Sequence, residues 1–148
     1  MVIEPGPGMG FFTLELARLV GPRGRVIAID VQPKMLEGLV RRARKVNLAD
    51  RITARQPKGD HLGIDDLQGT ADFALVFAMA HEVPSPLALF VDIHDALKRG
   101  AKMLLAEPLG HVSAKGYEGI LNTAKSVGFT IESKPAIRRS RAAVLVRI

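Results

Sequence analysis

Two hydrophobic periods alternate along the chain. Short aliphatic runs, unbroken or repeating every two residues, are separated by stretches with apolar residues at helical spacing; the alternation predicts a parallel sheet covered by helices. Met1–Glu4 begins as a strand. Gly10–Val20 then places Phe12, Leu16, Leu19 and Val20 on one helical face, closed by Gly21-Pro22. Arg25–Asp30 is a second strand, and Pro33 opens a helix whose Met35, Leu36, Leu39, Val40, Ala43 and Val46 face inward. Arg51–Gln56 reads as an edge strand, and the unbroken apolar run Ala71–Ala80 as a central strand buried on both faces. Ser85-Pro86 caps a helix predicted to end at Lys98-Arg99-Gly100, with cations in its last turn. Ala101–Glu107 is a fifth strand, Ser113–Val127 a helix stopped by Gly128, and Phe129–Ser133 with Arg141–Arg147 a closing pair. No repeat or linker interrupts the pattern. Residues 1–148 read as one α/β domain.

Composition narrows the chemistry. The absence of cysteine excludes a disulfide scaffold, a thiolate metal site and thiol catalysis. The longest apolar run, Phe73–Ala80, is far short of the roughly 20 residues that span a bilayer. With no signal-peptide pattern at the start, the expectation is a cytoplasmic protein with no membrane partner. A net charge of +6 raises the prospect of an anionic partner. Lys134, Arg138, Arg139, Arg141 and Arg147 form a C-terminal basic stretch without an acid, and Arg41, Arg42, Arg44 and Lys45 form another cluster. One tyrosine and no tryptophan make base-stacking platforms scarce. These charges therefore read first as solvated surface, and second as a nucleic-acid contact.

The most informative stretch is VIEPGPGMG, a strand followed by Gly6-x-Gly8-x-Gly10 and a helix. Glycines there let the backbone turn tightly and approach a ligand beside free helix N–H groups. Asp30 ends the second strand, 20 residues past Gly10, where a carboxylate reaches ribose hydroxyls in doubly wound sheets. The dinucleotide fingerprint G-x-G-x-x-G would need its third glycine at position 11, which is Phe11. With Glu4 ahead of the loop, the E-x-G-x-G-x-G arrangement instead resembles motif I of the class I S-adenosylmethionine-dependent methyltransferases. Gly59-Asp60-His61 resembles that family's adenine-binding "GDA" element, Leu97-Lys98-Arg99-Gly100 its "LKPGG" turn, and GFTIES…SRAAVLV its terminal hairpin.

The resemblance implies a three-layer, Rossmann-like doubly wound sheet of seven strands in order 3-2-1-4-5-7-6, the last strand antiparallel. It implies S-adenosyl-L-methionine as cofactor, held by Glu4, Gly6, Pro7, Gly8, Gly10, Asp30, Val31, Gln32, Asp60, His61, Ala78 and Met79. Relatives of this kind carry a helical segment ahead of strand one, which this sequence lacks. An open acceptor site is therefore expected, with a lid removed or supplied by a partner. The implied activity is methyl transfer to a small molecule. RNA as acceptor, or a non-catalytic cofactor-binding module, are the alternatives, and a homodimer is a reasonable assembly.

Candidate chemistry lies past strands four and five, which should be neighbours: His81-Glu82 follows one, and Glu107 with His111 the other. His81 or His111 is a candidate general base, the role imidazole most often serves. A metal site from these residues fits no recognised spacing, so none is expected, and hydrogen-bonded loop residues remain the plain reading. His94 reads as a structural helix histidine, and Asp65-Asp66 as a solvated loop pair.

Overall fold

The computed structural model describes residues 1–148. Strands β1 (Val2–Pro5), β2 (Val26–Ile29), β3 (Ile52–Arg55), β4 (Ala71–Phe77), β5 (Leu97–Pro108), β6 (Phe129–Ser133) and β7 (Ser140–Arg147) form one sheet. Its order is β3-β2-β1-β4-β5-β7-β6, as the resemblance implies. Strands β1 to β5 pair in parallel, and β7 runs antiparallel to both β5 and β6. Helices α1 (Phe11–Val20), α2 (Pro33–Lys45), α3 (Pro86–Ala96) and α4 (Ala114–Val127) connect them.

The core is unequal on the two faces. Twenty-four buried residues, including Ile3, Val76, Phe90, Met103, Leu105, Leu121 and Leu145, pack between the sheet and α3 and α4. A cluster of seven, centred on Ala17, Val26, Ala28 and Leu39, lies under α1 and α2. On that second face β4, β5 and β7 carry the half-exposed side chains Phe73, Phe77, Leu104, Val144 and Val146. The fourth strand is therefore not buried on both faces, and it ends at Phe77 rather than Ala80. Ala78 turns the chain with a left-handed φ of 54° and keeps one bond to the sheet, donating its N–H to the Ala106 carbonyl.

Other boundaries shift for physical reasons. Helix α3 stops at Ala96, because Leu97 already pairs with Ala71 at the start of β5. Lys98 to Ala101 then bulge outward, with Gly100 at φ 77°, before Lys102 rejoins the ladder opposite Phe73. In α1 the buried residues are Thr13 and Ala17, while Leu19 is 82% exposed. Small side chains bring that helix close to the sheet, with Leu16 and Val20 packed at the margin of the contact and Leu19 turned out of it. In α2, Leu36, Leu39 and Ala43 are buried as expected, but Val46 is exposed and Leu48 takes the inward place. Arg41, Arg44 and Lys45 face solvent. No helix is long and apolar enough to cross a membrane.

Candidate active site

At the carboxyl ends of β1, β2 and β4 lies a cleft of about 330 Å³. The loop from β1 into α1 forms its floor. Gly6 donates its N–H to the Ile29 carbonyl at 2.8 Å, and Gly10 closes a turn onto the Pro7 carbonyl at 3.0 Å. The glycines serve different ends. A Cβ on Gly8 would meet nothing within 4 Å, whereas one on Gly10 would sit 2.4 Å from Leu39 Cδ1. Gly8 thus leaves open space at a left-handed φ of 54°, while Gly10 lets α1 approach α2. Gly10 is also the N-cap of α1 and has no side chain to occupy the first-turn N–H groups, which stay available to an anionic group.

Asp30, just past β2, is tied at its backbone to β3 through the Arg55 carbonyl at 3.1 Å. Its Oδ1 accepts the Gln32 N–H at 2.8 Å, which fixes the carboxylate at the cleft wall. On the far side, Gly59 and Asp60 form a two-residue turn closed by reciprocal Lys58–His61 backbone bonds of 2.8 and 3.1 Å. That turn is pinned by Asp92 of α3, which accepts from the Leu62 N–H at 2.6 Å and pairs with His61 Nδ1 at 2.9 Å. The Asp92 bond holds the His61 imidazole above its ordinary pKa. Nothing local in the sequence marks Asp92, since it acts across 30 residues.

Of the residues assigned to the cofactor, Gly6, Gly8, Asp30, Val31, Gln32, Asp60, His61, Ala78 and Met79 line this cleft. Glu4, Pro7 and Gly10 do not. Glu4 is buried beneath the loop, where its Oε2 accepts the Thr13 hydroxyl at 2.5 Å and so ties β1 to α1. Burial pushes its carboxyl up to about 7, against the downward pull of the Thr13 bond. Met35, Leu62, Glu82 and Val83 also line the cleft. The sequence pattern puts Met35 on the inward face of its helix and Glu82 with the candidate chemistry past strand four; both meet at the cleft.

The second cluster sits one strand over. Glu107, at the end of β5, is 1% exposed. Its Oε1 accepts the Ala80 N–H at 2.8 Å, and its Oε2 is bonded to His81 Nδ1. The His111 ring stands edge-on to His81 at a centroid distance of 5.8 Å. His81, Glu82, Glu107 and His111 do not gather three donors suited to a metal ion. Elsewhere His94 stacks edge-on against Phe129 as a structural residue, and Asp66 forms a two-pronged pair with Arg55 at 2.6 and 2.8 Å.

Comparison with known proteins agrees with this geometry. The family profile described as "Methyltransferase domain" matches residues 2–100. The chain is 29% identical over 132 residues to a demethylmenaquinone methyltransferase of Lactobacillus johnsonii, covering 84% of this chain and 53% of that protein. It is 31% identical over 113 residues to protein-L-isoaspartate O-methyltransferase 2 of Arabidopsis thaliana, covering 73% of this chain and 33% of that one. It thus spans about half or less of the length of these relatives. Among solved structures, a SAM-dependent methyltransferase from Aquifex aeolicus superposes with a TM-score of 0.82 at 21% identity, covering 98% of this chain and 80% of that one. With the strand order, the glycine loop and a family match over two thirds of its length, the chain belongs to the methyltransferase-domain family of class I S-adenosylmethionine-dependent methyltransferases.

Proposed function

We propose that the chain binds S-adenosylmethionine in the cleft beside the glycine loop and passes its methyl group to a small molecule at the carboxyl ends of β4 and β5. One observation carries the reading: a loop with open space at Gly8, facing a fixed Asp30 carboxylate across a cleft of about 330 Å³. That volume lies within the roughly 300–1,000 Å³ common for small-molecule sites. The donor set fits the cofactor. Asp30 is a charged acceptor for ribose hydroxyls, the first turn of α1 offers N–H groups to a carboxylate, and Met35, Leu62 and Val83 give apolar surface for a purine.

When bound, the cofactor supplies an electrophilic methyl on a sulfonium, so an acceptor's electron pair forms the new bond as the carbon–sulfur pair stays on sulfur. The protein's own part is placement and exclusion of water. Asp92 holds the Asp60 turn against α3, and Met79 packs on Gly6, so contacts within the protein brace the walls of the cleft.

Calorimetric titration with S-adenosylmethionine, S-adenosylhomocysteine and NAD tests the cofactor assignment. Micromolar binding of the first two alone is expected; binding of NAD, or of none, overturns it. An RNA acceptor is favoured by one feature, the exposed Arg138 and Arg139 on the β6–β7 turn, where the Arg139 carbonyl bonds Leu109 beside the acceptor edge. That reading demands RNA binding whose log affinity falls by roughly 0.7 per phosphate contact per log unit of salt.

A further inference from the structure

The carboxyl edge of the sheet changes sign along its length. Asp30, Asp60 and Glu82 line the cofactor cleft. Past β5 the acids give way to Arg138 and Arg139, exposed on the β6–β7 turn, and to Arg141, half-buried at the start of β7. None of the three meets a carboxylate, because the acids of the neighbouring elements are taken. Glu118 of α4 pairs with Lys134 at 3.6 Å, and Glu132 of β6 with Lys102 at 2.8 Å. Glu82 stands 3.6 Å from His81 Nε2, on the cleft side. Glu107 is the cross-strand neighbour of Arg141, yet its Oε1 accepts the Ala80 N–H and its Oε2 bonds His81 Nδ1.

Arg141 carries the argument. Its Nη1 donates to the Val112 carbonyl at 2.8 Å, the one hydrogen bond its side chain makes within the chain. A guanidinium presents five N–H donors in a planar fork, so most of that fork stays open. A charge drawn partly out of water calls for a counter-ion, and the chain places none in contact with it. The adjoining turn is held just as firmly. The Ser140 N–H closes it onto the Ile137 carbonyl at 3.1 Å, and the Arg139 carbonyl accepts the Leu109 N–H at 2.9 Å. Arg139 sits there at a left-handed φ of 58°, a conformation disfavoured for most residues other than glycine.

These groups adjoin the transfer point. Val112, which holds Arg141, follows His111, whose ring lies 5.8 Å from that of His81. His81 in turn stands between Met79 and Glu82, both of which line the cofactor cleft. The other basic cluster, Arg41, Arg44 and Lys45 of α2, lies at the β3 end of the sheet, with the acids of the cleft in between. A nucleic-acid strand is followed by a continuous basic surface. A basic patch confined to one turn and one strand matches a single anionic group.

We infer that Arg141, with Arg138 and Arg139 on the adjoining turn, binds a carboxylate or phosphate group on the small acceptor. This rests on the methyl-transfer reading and names its substrate class. The arginines act on which molecules are held at the rim, and none takes part in the transfer itself.

Nitrogen-15 NMR of the arginine side chains tests this in the full chain with S-adenosylhomocysteine, titrated at constant ionic strength with inorganic phosphate, benzoate and benzamide. The expected result is saturable, millimolar binding of phosphate or benzoate, with the Arg141 Nε signal moving most, and no binding of uncharged benzamide. Phosphate against benzoate distinguishes the two oxyanions. Arg141→Gln should weaken binding about 10-fold or more, as loss of a charge-assisted hydrogen bond dictates. Arg138→Gln and Arg139→Asn should each weaken it by a smaller factor, asparagine being tolerated in the left-handed turn. Arg41→Gln removes the same charge from α2 and should change nothing. Absence of saturable binding, or equal weakening by Arg41→Gln, overturns the inference. Oligo(U) binding far tighter than phosphate, with a salt dependence of several phosphate contacts, assigns the arginines to RNA and overturns it too. If Arg141→Gln does not fold, the two turn variants decide it. Failure to bind S-adenosylhomocysteine overturns the methyl-transfer reading instead, and the anion titration without it still tests the arginines.

Discussion

The cofactor cleft and the acceptor rim occupy the same sheet edge, yet they are made differently. The cleft rests largely on backbone: three glycines at positive φ, a tight turn at Gly59-Asp60, and one carboxylate braced by the N–H two residues on. The rim rests on side chains that meet across strands, with His81 and Glu107 separated by 26 residues. A backbone cradle needs a fixed local spacing, because turn geometry sets it residue by residue. A side-chain pair needs only that two strands be neighbours, so it can change without disturbing the fold. This difference suits a family whose cofactor is shared and whose acceptors differ.

The largest effect should come from filling the cradle. Gly8→Val places a branched side chain where nothing now lies within 4 Å, and should abolish S-adenosylmethionine binding, a loss on the order of 100-fold or more. The fold should bear only the left-handed strain of about 1–2 kcal/mol. Gly10→Ala is the counterpart, since its Cβ would strike Leu39 Cδ1. It should cost stability by that strain plus overpacking of roughly 1–3 kcal/mol. Thermal melts beside calorimetry distinguish the two. If Gly8→Val binds normally, the cleft is not the cofactor's seat and the contrast between the two regions fails.

Glu4 is the buried acid beneath the glycine loop, and it tests whether a side chain there matters through folding or through binding. Its folded pKa of about 7 lies above the ordinary value of 4.5, so between these pH values the folded chain holds the proton more tightly than the unfolded chain. Stability is therefore fully present below about 4.5 and declines as pH rises toward 7, by about 3 kcal/mol in all. Glu4→Gln should flatten this slope and be the more stable protein above pH 7. Urea titrations at pH 5 and 8 measure it. Asp30→Ala should act on binding instead, weakening the cofactor by about 1.5–3 kcal/mol through loss of a charge-assisted hydrogen bond, with the melting temperature nearly unchanged. Unaltered affinity in Asp30→Ala would remove Asp30 from the site.

What could be read from sequence follows the same division. The glycine loop and Asp30 were legible because each depends on residues close in sequence, while the strand order and the Gly59-Asp60 turn came from the resemblance that those motifs carry. His81 and Glu107 were legible as a neighbourhood, once strands four and five were placed side by side, but not as a bonded pair. Asp92 was illegible, since an aspartate in the middle of an apolar helix carries no mark of the loop it holds. Glu4 was assigned to the ligand because its position resembles a motif, while its burial sends it to Thr13.

The smallest effect belongs to the helix that carries the loop. Sequence periodicity put Leu19 inward, but it is 82% exposed, and Thr13 and Ala17 face the sheet. Leu19→Ser should change stability by no more than about 0.5 kcal/mol, the usual range for surface substitutions. Ala17→Leu should be destabilising by roughly 1–3 kcal/mol, because Ala17 has no exposed surface and the added bulk must push α1 off β2. It should also weaken cofactor binding, since Gly10 caps that same helix and the cradle moves with it. The reverse outcome, a costly Leu19→Ser beside a tolerated Ala17→Leu, would rotate the helix and with it the uncapped first-turn N–H groups at its start. A backbone-built site is only as well placed as the helix beneath it, and the small residues under α1 belong to the site as much as the glycines do.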